Sequence, residues 1–370
     1  MALLFAPGPR RLADDGARTE RATVVETDDS SLQLHGLLEF GTQHLKVKLA
    51  DGRIVPAENE LRAQMELDKK FSPGDAALVV VPAEGIADGA AIVARDHWRL
   101  GWAVGLFAAF CALLCMFGGW TGAKALFSFV FSCFTVWKLL IPLCLNGWSA
   151  AWVSFAAVSA LTAVIMYLVA GFSRKGVSAF AGSMLGVGSS LVLAWFFAGA
   201  MRVNGATMPF VQALLYSGYS SLDLSDVFIG AVILASSGAL MDLAMDIAAG
   251  VDEVSRHSPD LPRRALFMSG IRIGRSVVGT MTTTLLLAYS GGYLTLLMVF
   301  AAQGTPPLVF LNSTIVSAEM VKTLVGSFGL VLVAPFTALA AAAVARPLRT
   351  RALWRFIGSA FHESRKETST

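Results

Sequence analysis

The sequence predicts an α-helical polytopic membrane bundle of about seven transmembrane helices plus a re-entrant or broken segment, preceded by a small N-terminal β domain. Three observations carry this. Of 370 residues, 55% are hydrophobic and only 15% charged, whereas soluble domains are about a quarter charged. The mean hydropathy is +0.63. From Leu100 onward apolar runs recur at lengths that match a bilayer core. Before Leu100 the stretches RATVVET and HLKVKL alternate apolar and polar residues, the pattern of half-buried strands.

Composition also narrows the function classes. The net charge is +3, and the basic residues stand beside apolar segments, which suits a topology signal and not nucleic-acid binding. Cys111, Cys115, Cys133 and Cys144 lie in apolar runs without a Cys-x-x-Cys pair, so they read as reduced, packed thiols. The five histidines have no ligand spacing, and neither a metal nor a cofactor is expected. A Gly-x-Ser-x-Gly elbow, a His-Glu-x-x-His pair and a phosphate loop are all missing from the sequence, so no enzyme is expected.

In chain order, residues 1–20 are rich in Pro, Gly and charge and read as disordered. The opening MALLFA is too short for a signal sequence. Residues 21–97 read as a five-strand barrel or curled sheet of the oligonucleotide/oligosaccharide-binding type, with turns at ADGR and SPGD. The region 98–345 is the membrane part. LGWAVGLFAAFCALLCMF is the first span. ALFSFVFSCFTVWKLLIPLCL is the second and holds Lys138, whose stem can snorkel. SAAWVSFAAVSALTAVIMYLVAG is the third. VSAFAGSMLGVGSSLVLAWFFAGA is the fourth, thinned for close packing by Gly182, Gly186 and Gly188. After a polar loop over 201–226, a fifth begins at Val227, a sixth covers about 270–290, and the last covers about 321–345. Between them YLTLLMVFAAQ, GTPP and LVFLN form a segment broken by Gly304, Pro306 and Pro307.

Basic flanks orient the chain. Arg174 and Lys175, then the arginines from Arg256 to Arg275, then those from Arg346 to Arg355 mark three cytoplasmic sites. They agree only if an even number of crossings separates Arg275 from Arg346. Residues 293–311 therefore read as a re-entrant or interfacial hairpin, which is tolerated where protein covers its backbone. The expected location is a multi-pass plasma (inner) membrane protein with a cytoplasmic C-terminus and the β domain outside. The tail 346–370 contains RPLRTRALWRFIGSAF, a basic amphipathic helix on the membrane surface.

The fifth span carries unusual charge. From Val227 to Val254 a helix is about 42 Å long, against a hydrocarbon layer of about 30 Å. Asp252 and Glu253 then protrude into solvent, Asp246 lies near the interface, and Asp242 lies deeper. A carboxylate at that depth needs protein or water around it and a partner. Arg275 is the expected partner, at similar depth on the neighbouring antiparallel span. A static pair joining two helices, a titratable or ion-binding site, and an outward or snorkelling position all remain open for Asp242. Ser276, Thr280 and Thr284 form a hydroxyl stripe at helical spacing, either bonded back to their own helix or lining a cavity opposite Asp242. Glu319 and Lys322 read as a local i,i+3 pair. Asn312 and Gln303 flank the broken segment and can satisfy its freed backbone groups.

SSGALMDLAMDI, GIRIGRSVVGTMTTTLLLAYSGG and AEMVKTLVGSFGLVLVAPFTALAAA together resemble the YibE/F-like family of bacterial membrane proteins, over about residues 100–345. KFSPGDAALVVVP resembles that family's extracytoplasmic segment. The resemblance implies a polytopic membrane protein with a permease-like role. Matching positions include Gly238, Asp242, Glu253, Arg275, Thr280, Thr284, Tyr289 and Glu319. Ser276 departs from an acidic position of the family, and Asp246 from a small polar one. The charge is transposed between two neighbouring spans, which implies that positions 246 and 276 share one polar site.

The expected function is a permease or transporter, ion-coupled through an intramembrane carboxylate, with the lipid bilayer and a small solute or ion as partners. Asp242, Asp246, Arg275, Ser276, Thr280 and Thr284 are the first candidates for its site, and Glu319 and Asn312 the second. The alternative is a membrane-anchored binding or assembly factor whose β domain holds a protein partner.

Overall fold

A computed structural model of the chain describes residues 17–65, 67–82 and 91–345. These fall into two compact units that adjoin in sequence at Phe117 and Gly118.

The N-terminal unit contains β1 (Arg18–Asp28), β2 (Leu32–His35), β3 (Leu38–Lys48), β4 (Ile54–Arg62), β5 (Ala76–Val81) and β6 (Ile92–His97). The sheet order is β1-β5-β6-β4-β3-β2, and β1 also pairs with β3, which closes the sheet. Only β4 and β6 pair in parallel. Without β2, which pairs with β3 alone, this is the five-strand Greek-key barrel that the alternation predicts. β2 is the unforeseen sixth strand, a four-residue hairpin arm turned at Gly36 (φ 66°). The ADGR and SPGD turns lie where expected, with Gly52 and Gly74 at positive φ. The disorder expected over 1–20 falls mostly outside the described residues, and β1 already begins at Arg18.

Alternate residues such as Ala22, Val24, Leu45, Val47, Ala77 and Val79 fill the barrel. Two buried amides tie the crossover loop after β4 to it. Gln43 Nε2 donates to Phe71 O at 2.9 Å and Asp29 Oδ1 at 2.8 Å, while its Oε1 accepts from Phe71 N at 3.0 Å and Asn59 Nδ2 at 3.1 Å. Asn59 Nδ2 also donates to Lys69 O at 2.6 Å. Lys70, 3.0 Å from Asp29, and then Gln43 hold the Asp29 carboxyl below its ordinary range.

The helices are α1 (Leu100–Thr135), α2 (Ile141–Leu145), α3 (Ala150–Ala170), α4 (Arg174–Ala200), α5 (Val211–Tyr216), α6 (Leu224–His257), α7 (Arg263–Gly292), α8 (Leu294–Ala302), α9 (Pro307–Leu311) and α10 (Thr314–Val344). A π-helical turn, Val136–Leu140, joins α1 to α2 and carries Lys138. Within α1 the backbone leaves helical geometry at Gly119 (φ 51°, ψ −129°). Five stretches are long and apolar enough to cross a membrane: Leu100–Leu145, α3, α4, α6 and α10. α7 with α8 makes a sixth, bent by 66°. Among the described residues there are therefore five to six candidate spans, and the chain is membrane-embedded on length and composition.

α4, α6, α7 and α10 pack as the core of the bundle, with α3 against α6. Close approach explains several glycines. A Cβ at Gly182 would overlap Thr337, and one at Gly186 would lie 3.0 Å from Val333. A Cβ at Gly274 would lie 2.8 Å from Ala334. Gly188 does not share this role, because it faces open space. Asp226 in the first turn of α6 accepts from the Ala151 amide at 3.3 Å, anchoring the start of α3.

The broken segment is a helical hairpin. α8 and α9 have nine and five residues, about 13 and 7 Å, too short to cross. They fold back at Gly304 (φ 61°), and the Phe300 and Phe310 rings stack at 5.8 Å. The last long helix begins at Thr314, seven residues before the expected Val321. The amphipathic helix expected in 346–370 lies outside the described residues.

Candidate functional site

The structure separates the predicted site residues into two places. The first is an outer face of α6 and α7. Along α6, Leu240, Leu243, Ala244 and Ile247 are buried, while Gly238, Asp242 and Asp246 are exposed. Along α7, Gly270 and Gly274 are buried, while Arg272, Arg275, Ser276, Gly279, Thr280 and Thr284 are exposed.

The expected ion pair between Asp242 and Arg275 does not form: among the described residues neither side chain has an ion-pair partner. The cause is helix rotation. Gly274 is the α7 residue that packs inward, 3.2 Å from Ile247 by its would-be Cβ. Arg275, one residue on, is turned about 100° away from that contact. The hydroxyl stripe bonds back to its own helix, Ser276 to Ile273 O at 2.7 Å, Thr280 to Val277 O at 2.9 Å and Thr284 to Thr280 O at 3.0 Å. Glu253 is exposed as expected, but Asp252 is only 23% exposed and lies beside Arg174, Lys175 and Ser178 of α4; within α6 they pair with His257 at 3.2 Å and Arg256 at 2.7 Å. A charge held at the middle of a lipid-facing helix costs about 2.5–3.5 kcal/mol. The outward placement of Asp242, Asp246 and Arg275 is therefore unsuited to bare hydrocarbon.

The second place is a half-open pocket. Where α7 ends and bends into α8, a cavity of 240 Å³ opens against the first half of α10. Leu286, Leu296, Leu297, Met320 and Leu324 form its apolar wall, and Tyr289, Tyr293 and Glu319 its polar end. Glu319 Oε1 accepts from Lys322 Nζ at 2.6 Å, and both side chains are only 15% exposed. Lys322 Nζ also donates to the Tyr293 hydroxyl at 3.3 Å. It stands 5.8 Å from the Phe228 ring centre and 5.6 Å from that of Tyr293, within cation–π range. Glu319 Oε2 is buried with no hydrogen-bond partner. Asn312, the other secondary candidate, is exposed and donates to Leu308 O at 2.7 Å within the turn after α9.

The tyrosines and Lys322 complete a cluster that sequence spacing left as a local Glu–Lys pair. Its signal was present: Tyr289 and Tyr293 are four apart at the end of one span, and Glu319 and Lys322 three apart at the start of the next. Among the described residues no group of three His, Cys, Asp or Glu side chains is gathered to hold a metal ion.

This is a polytopic helical membrane protein with a cavity at a broken helix. The sequence model described as YibE/F-like protein matches residues 106–347, well over half of the chain. The chain belongs to the YibE/F-like family. The matched region begins after the β barrel. No curated protein and no solved structure matches the chain.

Proposed function

We propose that the chain is a membrane permease whose solute site is the cavity between the α7–α8 bend and α10, ion-coupled through the carboxylate of Glu319. The observation that carries this reading is a buried carboxylate with one unpartnered oxygen beside an apolar cavity at a helix break. Broken helices and intramembrane carboxylates are the usual parts of transport sites. The cavity's chemistry fits a small amphipathic solute: a polar group at the end formed by Tyr289, Tyr293 and Glu319, and an apolar body against Leu296, Leu297 and Met320. On this reading Lys322 pairs with Glu319 when no solute is bound, and the solute's polar group competes for that contact.

The same reading takes Leu100–Leu145 as two crossings divided at Gly119. Its 46 residues would extend about 69 Å as one helix, more than twice the bilayer core. With α3, α4, α6, α7 and α10 that makes seven crossings and leaves α8–α9 as the re-entrant hairpin. The basic flanks then put the C-terminus in the cytoplasm, and the barrel and the Glu319 cavity on the outer side. A barrel-borne protein partner is favoured by one observation. Leu34, Leu37 and Phe40 around the β2–β3 hairpin are 74%, 93% and 55% exposed.

The test is solute uptake into proteoliposomes over a panel of small amphipathic amines, alcohols and acids, with Leu297→Trp beside the wild type. Uptake by the wild type that is lost when the indole fills the cavity supports the reading. Equal uptake by both proteins places the path elsewhere.

A further inference from the structure

We infer that the exposed polar face of α6 and α7 is covered by the same face of a second copy of this chain, about a two-fold axis along the membrane normal. Asp242 and Asp246 of one copy then meet the partner's Arg272 and the partner's Arg275. This is independent of the Glu319 reading and uses none of the cavity residues.

Charge complementarity carries the argument. Asp242 and Asp246 are exposed on α6, Arg272 and Arg275 are exposed on the adjoining α7, and among the described residues none of the four is in an ion pair. Depth fits as well. From the cytoplasmic end of α6 at His257, Asp246 and Asp242 lie about 16 and 22 Å along the helix. From the start of α7 at Arg263, Arg275 lies about 18 Å along, between the two carboxylates. A two-fold axis along the normal preserves depth, and an axis through this face sets α6 of one copy opposite α7 of the other. Each acidic helix therefore meets a basic one twice, in one self-complementary interface.

The surface between the charges suits close helix packing. Gly238 and Gly279 lie on the face, and a Cβ added to either would meet nothing within 4 Å. The neighbouring hydroxyls are already satisfied by their own helix, so they can be covered without loss. Small residues that let backbones approach are the usual means of helix association in a bilayer. Other occupants fit less well. Hydrocarbon rejects the charges. The apolar run from Leu100 to Phe117 carries no charged residue to answer them.

The test uses the full chain in lipid nanodiscs with two charge-reversed variants under different affinity tags, Asp242→Arg and Arg275→Asp. The wild type is expected to be a dimer by light scattering. Each variant alone places like charges opposite one another, which weakens association about a hundredfold. Co-expressed, the two variants restore both contacts, so the two tags should co-purify as a mixed dimer. Dimers formed equally by each variant alone, a monomeric wild type, or folded variants that fail to associate when mixed would overturn the inference. A second arm does not depend on those variants folding. In a background with all four native cysteines replaced, Gly238→Cys with Gly279→Cys should give an oxidation-dependent crosslinked dimer. A chain that stays monomeric under oxidation while its thiols react with maleimide overturns it.

Discussion

The Glu319–Lys322 pair makes a sharp energetic prediction. Lys322→Met removes the cation 2.6 Å from Glu319 Oε1 and the donor 3.3 Å from the Tyr293 hydroxyl. Glu319 already has one buried oxygen without a partner. The substitution therefore leaves a carboxylate that is only 15% exposed with no compensating charge. Breaking such a pair on one side costs about 3–5 kcal/mol. At roughly 2–4 °C per kcal/mol for a domain of this size, the midpoint of thermal unfolding should fall by at least 6 °C, scanned at one fixed rate in one detergent. The double variant Glu319→Gln with Lys322→Met removes both charges together. It should recover most of the loss, because the cost lies in the orphaned carboxylate and not in the absence of the pair. A single variant as stable as the wild type, or a double variant less stable than Lys322→Met alone, would refute this reasoning.

Three further outcomes follow from the packing and the barrel. Gly182→Leu drives a side chain into Thr337, and should destabilise the bundle by about 1–3 kcal/mol or stop folding, seen as loss of monodisperse protein after extraction. Gly188→Leu, at a site with open space, should not. Gln43→Leu strands Phe71 N and O at once, at about 1–3 kcal/mol for each buried group left unpaired. Amide exchange around Phe71 should accelerate strongly while α6 amides stay protected. Asp29 titrates below its ordinary 3.8 in the folded barrel, so its contribution is fully present above about pH 4 and lost as pH falls through the lower folded value. Barrel stability should drop below about pH 4, and Asp29→Asn should flatten that drop.

Much of this architecture is legible in the residues, and the failures have a common cause. Alternation in RATVVET and HLKVKL marks β1 and β3, since a barrel wall buries every second residue. β2 escapes because four residues are too few to show a period. The GTPP break predicts the α8–α9 hairpin, because Gly304 and two prolines cannot continue a helix. Depth along a helix is also readable from residue counts. Rotation about the helix axis is not. It depends on which small residues the neighbours seek, and Gly274 and Gly270 turn α7 so that Arg275 points out. The Glu319 cavity has the same character. Its carboxylate and lysine are local in sequence, but the tyrosines reach them only through the α7–α10 packing and the bend into α8.

The proposed function is ion-coupled transport at Glu319. Its most direct test is charge movement on solid-supported membranes carrying the purified protein, under pH and sodium jumps with and without solute, for the wild type and Glu319→Gln. A solute-dependent current is expected in the wild type and should disappear in the variant while the variant still elutes as folded protein. A current of equal size in Glu319→Gln would contradict it.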